Sequence, residues 1–332
     1  MKKKILITSL LMLLVMAPAS AMAKQQVYGA TFPASFALYV LDPELLAGWN
    51  GPLRDYEKKF IPEKYHHLPI LGGWYGKGMI PDKEVLLRAK FDKAFTLTGD
   101  HKQGNDALSV LKKLGIPTVA LPARTLQENI AMFRAMGIEF EVPERGEALA
   151  AYGENALARV AGWMKDLPES KRVRIYMAQD VDGLTTTCAG GIRSEVFDLA
   201  GAVNVHACPE NMRETIIKIS FEQILRYDPD VILINHPTFM DRFPRDTRWH
   251  QLRAAKTGNV FFVPHEPFSW MDRPASFMRF IGAQWLAETL HPDRCDMDME
   301  AETDKFLRLF FRLELAPEEI RSILKKDQET GN

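Results

Sequence analysis

The chain has 332 residues, room for two domains of ordinary size, with 46% hydrophobic and 26% charged residues. That composition excludes a disordered chain, a collagen-like fibre and a small disulfide scaffold. Lys and Arg number 42 against 43 Asp and Glu, so no global basic field exists for binding nucleic acid.

In chain order, the first segment reads as a leader. Met1-Lys2-Lys3-Lys4 precedes an apolar stretch from Ile5 to Met16 and a small-residue end from Ala17 to Ala23. A basic start, a short apolar core and a small-x-small end describe a secretory signal peptide. The apolar run falls short of the ~20 residues that a membrane span needs. Cleavage after Ala23 is expected, and with three lysines removed the net charge moves from −1 to −4. No later stretch is long and apolar enough to span a bilayer, so the expected location is the periplasm, in soluble form.

The middle of the chain repeats. Glu84 to Asp92 predicts a short helix and turn before a buried strand over Lys93 to Thr98. Glu222 to Asp230 predicts the same before Val231 to Asn235, with Glu, Leu, Arg and Asp matched 138 positions apart, as 84 to 222. A second echo follows each copy. Lys113 to Pro122 and Lys256 to Pro264 both read as a helix ended by glycine and a strand ended by proline. Between the copies, Pro143 to Leu167 carries apolar residues at helical spacing, with prolines where helices tolerate them. A helix there is long enough to bridge two lobes.

The second copy opens with a predicted strand from Val173 to Met177 and a polar loop from Gln179 to Gly191. Helices are expected from about Ala275 to Leu290, near Glu300 to Leu313 and over Pro317 to Lys325. The resulting division is an N-terminal α/β lobe over 24–142, a bridging helix over 143–167 and a C-terminal α/β lobe with extra helices over 168–332. Cys188, Cys208 and Cys295 are the only cysteines. A Cys188–Cys208 bridge is open in an oxidising compartment, but three buried thiols are the favoured reading. No close Cys/His cluster with zinc spacing stands out.

With this order of elements the sequence resembles the periplasmic substrate-binding proteins of the iron-siderophore and cobalamin ABC importers. The resemblance is carried by Glu84 to Asp92, the linking helix, Leu199 to Asn204, Ser220-Phe221-Glu222 running to Ile232, and Trp249 to Pro264. Val27 to Pro69 matches weakly. The resemblance implies two Rossmann-like α/β lobes joined by one rigid helix, with the ligand in the cleft between them. It also implies that Glu84 and Glu222, at matching places in the two lobes, dock onto the two subunits of a membrane permease. The binding protein itself is expected to be a monomer with no catalytic cofactor, its ligand an iron(III) chelate. Haem, a corrinoid, a nickel chelate or a molybdate-like oxyanion are alternatives on the same fold. A secreted metalloenzyme with twinned lobes is the alternative of another class. Against it, the chain holds no glycine-rich phosphate loop, zinc-protease His pair or Gly-x-Ser-x-Gly elbow.

Ligands of open α/β sheets sit outside the carboxyl ends of strands. In the first lobe that rule selects Trp74 and Tyr75, within the glycine-rich stretch 72–78, and His101. In the second it selects Asp180, then Asn235 and His236, then His265, Phe268, Trp270 and Arg273. The aromatics suit a bulky organic ligand, or pack inward. The histidines suit a metal chelate, or are ordinary loop residues. Arg273 suits a carboxylate, catecholate or oxyanion, or pairs with Asp272.

Overall fold

The computed structural model describes residues 24–74, 80–99, 102–212, 216–271 and 276–325. The leader, Tyr75, His101 and Arg273 therefore lie outside the described residues.

In the first lobe, β1 (Val27–Gly29) runs into α1 (Phe32–Leu41), whose first turn is capped by the Thr31 hydroxyl accepting the Ala34 N–H. After the short α2 (Asp55–Lys58) come α3 (Lys83–Arg88), β2 (Lys93–Thr98), α4 (Lys102–Lys113) and β3 (Thr118–Pro122). The sheet is parallel in the order β1-β2-β3. Parallel bridges at Val27–Leu46 and Trp49–Ile70 extend its edge. α5 (Leu126–Glu139) and α6 (Pro143–Met164) follow.

In the second lobe, β4 (Val173–Ala178), β5 (Thr185–Thr187), α7 (Glu195–Leu199), β6 (Ala202–Asn204) and β7 (Ile216–Lys218) precede α8 (Phe221–Tyr227) and β8 (Val231–Ile234). α9 (Pro237–Arg242), α10 (Arg253–Lys256) and β9 (Val260–Phe262) complete it. The main sheet is parallel in the order β6-β4-β8-β9. β8 is buried along its whole length, as expected of a parallel strand covered on both faces. The polar loop predicted after β4 instead contributes β5, which pairs antiparallel with β7 in a separate ribbon.

The repeat is real in three dimensions. α3 and α8 begin at residues 83 and 221, and β2 and β8 at 93 and 231, each 138 apart. Asp92 and Asp230 then make the same pair of bonds. The Asp92 N–H donates to the Gln26 carbonyl while its carboxylate accepts the Gln26 N–H (both near 2.8 Å). Asp230 does the same with Arg174, at 2.8 and 2.9 Å. Each aspartate thereby fastens the entry of its strand to the neighbouring strand and leaves no backbone group unpaired there.

α6 is 22 residues long, roughly 33 Å at the usual helical rise. It packs on α1 and α5 of the first lobe and on α7 and α11 (Arg279–Leu290) of the second. Of the closing helices α12 (Met299–Phe311) and α13 (Pro317–Lys325), α12 packs on α11 and also reaches the first lobe. Phe310 meets Tyr152 of α6, Phe311 meets Tyr39 of α1, and Arg312 donates to the Tyr39 and Leu41 carbonyls. One apolar core consequently runs from α1 through α5 and α6 to α11 and α12.

Cys188 and Cys208 form a disulfide, with Cα atoms 5.5 Å apart. This corrects the reading as buried thiols. The Asn204 amide donates to the Thr187 carbonyl (3.0 Å) and the Ala189 N–H to the His206 carbonyl (2.8 Å), which lays the segment after β6 beside the one after β5. Cys295 is the remaining thiol. No described helix is long and apolar enough to cross a membrane.

Candidate ligand-binding cavity

A cavity of about 700 Å³ opens between the lobes. The first lobe contributes Phe32 at the start of α1, with Arg54 and Tyr56 at the start of α2. The second contributes Asn235 and His236, which follow β8, and His265 and Phe268, which follow β9. Ile323 of α13 closes one side.

Asn235 continues the sheet, since its N–H donates to the Ala178 carbonyl at 2.9 Å. Its Oδ1 accepts the Ser269 hydroxyl at 2.8 Å, which fixes the amide orientation. The Asn235 Nδ2 is left buried without a partner. His236 caps α9, its carbonyl accepting the Phe239 and Met240 N–H groups. Pro237 sits at the first helical position, where its missing N–H costs nothing. The His236 Nδ1 is likewise buried without a partner. Buried polar atoms are nearly always hydrogen-bonded, so these two adjacent exceptions leave unspent hydrogen-bonding capacity just behind the cavity wall.

His265 differs. Its Nδ1 faces the Val263 carbonyl and its Nε2 lies 3.3 Å from the Asn235 carbonyl. Its ring stacks on Phe262 at 4.8 Å. With both nitrogens turned to backbone oxygens, this imidazole builds the wall rather than offering a lone pair to the cavity. Phe268 reaches across the lobes, edge-on to Phe32 (5.5 Å) and Phe36 (4.3 Å) of α1.

Three of the residues selected from strand ends lie elsewhere. Trp270 is fully buried, its indole N–H donating to the Glu266 carbonyl at 3.0 Å. Gly282 of α11 presses against it, for a Cβ there would lie 2.0 Å from the Trp270 carbonyl oxygen. Trp270 is therefore a core residue. Trp74 is buried in an apolar cluster with Tyr28, Leu71 and Leu86. Asp180 occupies a left-handed turn between β4 and β5, with its carbonyl accepting the Gly183 N–H. Neither lines the cavity.

The sequence reading missed Arg54 and Tyr56. The Arg54 guanidinium lies 5.2 Å from the Tyr56 ring centroid, and its Nε is 3.4 Å from Glu57. Both stand at a helix start and not a strand end, so the strand-end rule could not reach them. The signal available was local, a cation beside an aromatic in Arg54-Asp55-Tyr56.

Residues 97–267 match the family model described as periplasmic binding protein. The chain belongs to that family. It is similar to an ABC transporter solute binding protein from Sulfurospirillum deleyianum, with 35% identity and a TM-score of 0.84 over 92% of this chain and 95% of that one. It shares its fold with a molybdate periplasmic binding protein from Haemophilus influenzae (21% identity, TM-score 0.71, 88% and 94% covered). A periplasmic vitamin B12 binding protein of Vibrio cholerae is a further fold relative (18%, 0.62, 82% and 99%). None of the curated protein sequences matches the chain. This periplasmic binding protein is a solute-binding component of an ABC transporter, and its family consists of binding proteins rather than enzymes.

Proposed function

We propose that this periplasmic binding protein captures an iron(III) chelate between its lobes and delivers it, as a soluble periplasmic monomer freed of its leader, to the permease dimer of an ABC importer. The observation that carries this reading is the cavity. At about 700 Å³ it has the size of an organic-ligand pocket. A bare ion or small oxyanion would leave it mostly filled with water, at ~30 Å³ per molecule. Phe32, Tyr56 and Phe268 give flat apolar walls for a ligand frame. The Arg54 guanidinium supplies donors for carboxylate or catecholate oxygens, and the buried, unpartnered Asn235 amide becomes a further donor once a side-chain turn brings its Nδ2 to the cavity surface. The His236 ring, whose buried Nδ1 has no partner, offers a further hydrogen bond or a ligand to a metal with an open position once it turns toward the cavity.

The test is native purification from the periplasm with metal analysis and a visible spectrum, followed by titration with ferric chelates. One chelate per chain is expected, with Arg54→Ala and Asn235→Leu each weakening it by ~10-fold or more, as expected for losing a hydrogen bond to a charged group. A colourless, iron-free protein that saturates with molybdate would transfer the assignment to an oxyanion. That second reading draws on the same Asn235 donor.

Glu84 and Glu222 are assigned to permease docking. Each is the second residue of its helix, α3 or α8, and each is exposed. Glu84 pairs only with Arg88 of its own helix among the described ion pairs (3.1 Å), and its neighbours leave it open to solvent. A hydrogen bond at its own backbone, aided by Ser220, holds the Glu222 carboxyl below the usual range and therefore charged. A pair of acids repeated in both lobes matches a two-fold permease, which needs one contact from each lobe. Such rim charges steer docking more than they add affinity. Glu84→Lys with Glu222→Lys should leave chelate affinity unchanged and impair uptake in cells. Normal uptake at normal protein level would return both residues to a helix-dipole role.

A further inference from the structure

A second cluster lies away from the cavity, whose lining contains no cysteine. Cys188 follows β5, and His206 and Cys208 follow β6. One ring nitrogen of His206 lies within 4.8 Å of both sulfurs. His206 is 8% exposed; one hydrogen bond holds its ring and two more hold its backbone. Its Nδ1 lies 2.8 Å from the Tyr227 hydroxyl at the end of α8. Its own N–H donates to the Asn204 Oδ1 at 3.0 Å, and its carbonyl accepts the Ala189 N–H. The Nε2 is buried and has no partner. A buried imidazole beside two sulfurs, with one nitrogen bonded to Tyr227 and the other without a partner, has the donor and the orienting contact that a metal ligand needs. A disulfide alone needs no such histidine.

We propose that reduction of the Cys188–Cys208 disulfide converts these two sulfurs and His206 into a binding site for Zn²⁺. Cys188 is fully buried and Cys208 half-buried, so a dithiol donor reaches Cys208 first. The donor thiolate attacks the Cys208 sulfur, the S–S bond breaks, and Cys188 departs as a thiolate. The donor's second thiolate then attacks its own sulfur in the mixed disulfide and releases Cys208, also as a thiolate. The donor leaves as a disulfide, oxidised by the two electrons it has given up, and its two protons pass to water when the cation binds. Two thiolates and a neutral imidazole balance a divalent cation, and water completes the tetrahedron. With Zn–S near ~2.3 Å and Zn–N near ~2.0 Å, ligand atoms of a tetrahedral zinc stand roughly 3.5–4 Å apart. The cluster therefore needs only small side-chain shifts once the S–S bond opens. This site is independent of the chelate cavity and does not rest on the identity of its cargo.

The experiment uses the full chain from Lys24 with Cys295→Ala, so that one thiol pair remains. The protein is reduced with a dithiol, freed of it without air, and titrated with Co²⁺ as a spectroscopic stand-in for Zn²⁺. One Co²⁺ per chain with a thiolate-to-cobalt absorption band is expected, displaced by Zn²⁺ and absent from the oxidised protein. Only the thiol pair can produce that band, so cobalt in the main cavity does not confuse the result. Cys188→Ser should abolish the band. His206→Ala should weaken Co²⁺ at least tenfold, and Tyr227→Phe should weaken it less. If the reduced chain loses structure, Zn²⁺ added during reduction should restore its circular dichroism. A folded, reduced protein without the band, an affinity indifferent to His206→Ala, or an unfolded reduced chain that Zn²⁺ fails to rescue would each leave a purely structural disulfide.

Discussion

Arg279 joins the two lobes at the level of single atoms. Its side chain is fully buried at the start of α11. It donates to the Arg124 carbonyl of the first lobe (2.6 Å) and to the Ile192 carbonyl of the second (2.9 Å). The same guanidinium meets Glu195 of α7 at 3.1 Å, and Glu195 accepts the Leu126 N–H at the start of α5. Burial pushes the Glu195 carboxyl up, while Arg279 pulls it back down. Removing the arginine strands Glu195 only in part, because that side chain is 30% exposed, so the cost is roughly 1–3 kcal/mol, below that of breaking a fully buried pair. Arg279→Met should therefore lower unfolding stability by about that amount, read from the denaturant midpoint at unchanged slope. Adding Glu195→Gln should recover part of the loss, because the stranded charge goes with it. A double variant as unstable as the single one would show that packing, and not charge, is what Arg279 supplies.

Elements are joined to one another by short polar contacts at their ends. His291 ends α11, buried beside the Gly201 turn, with its Nε2 3.3 Å from the Gly201 carbonyl. Burial holds its pKa below the ordinary 6.5, with Arg294 adding to that and the Gly201 carbonyl opposing it. The unfolded chain thus takes up a proton before the folded one does. The contribution is present above pH 6.5 and is lost as pH falls through the folded-state value. Unfolding midpoints measured from pH 7.5 downward should fall through this window, and His291→Gln should flatten the fall. An identical pH profile in the variant would remove His291 as a cause. The paired bonds of Asp92 and Asp230 belong to the same scale. They explain why those two positions match across the repeat, since each closes the open end of a parallel strand pair.

At the scale of the whole molecule, the described residues form two parallel sheets, a two-stranded ribbon and one main core. Because the apolar cluster of α1, α5, α6, α11 and α12 is continuous, the lobes cannot separate without exposing it. Inter-domain contacts as extensive as this oppose free domain motion. Two consequences follow for measurement. Thermal unfolding should give one calorimetric transition, with calorimetric and van't Hoff enthalpies equal. Ligand binding should leave the radius of gyration in X-ray scattering nearly unchanged. Two resolved transitions, or a large compaction on ligand addition, would mean that Phe268 and the α12 contacts do not hold the lobes together.

The alternation of helix and strand, the repeat and the long helix were all legible in the sequence, because caps, glycine stops and buried runs act within a few residues. Asp82, Thr125 and Ser220 each cap the helix that immediately follows. The positions after β8 and β9 were legible for a topological reason, since parallel strands place those ends at one edge. Which of the side chains face the cavity was not legible. Trp270 turned inward because Gly282, from a helix twelve residues on, leaves room for its backbone. Arg54 and Tyr56 reached the cavity from a segment with no strand-end signal. Cys188 met His206 and Cys208 because the segments after β5 and β6 lie side by side. A side chain's local sequence sets its conformation, but its solvation depends on whatever the rest of the chain packs against it, and only the tertiary structure decides that.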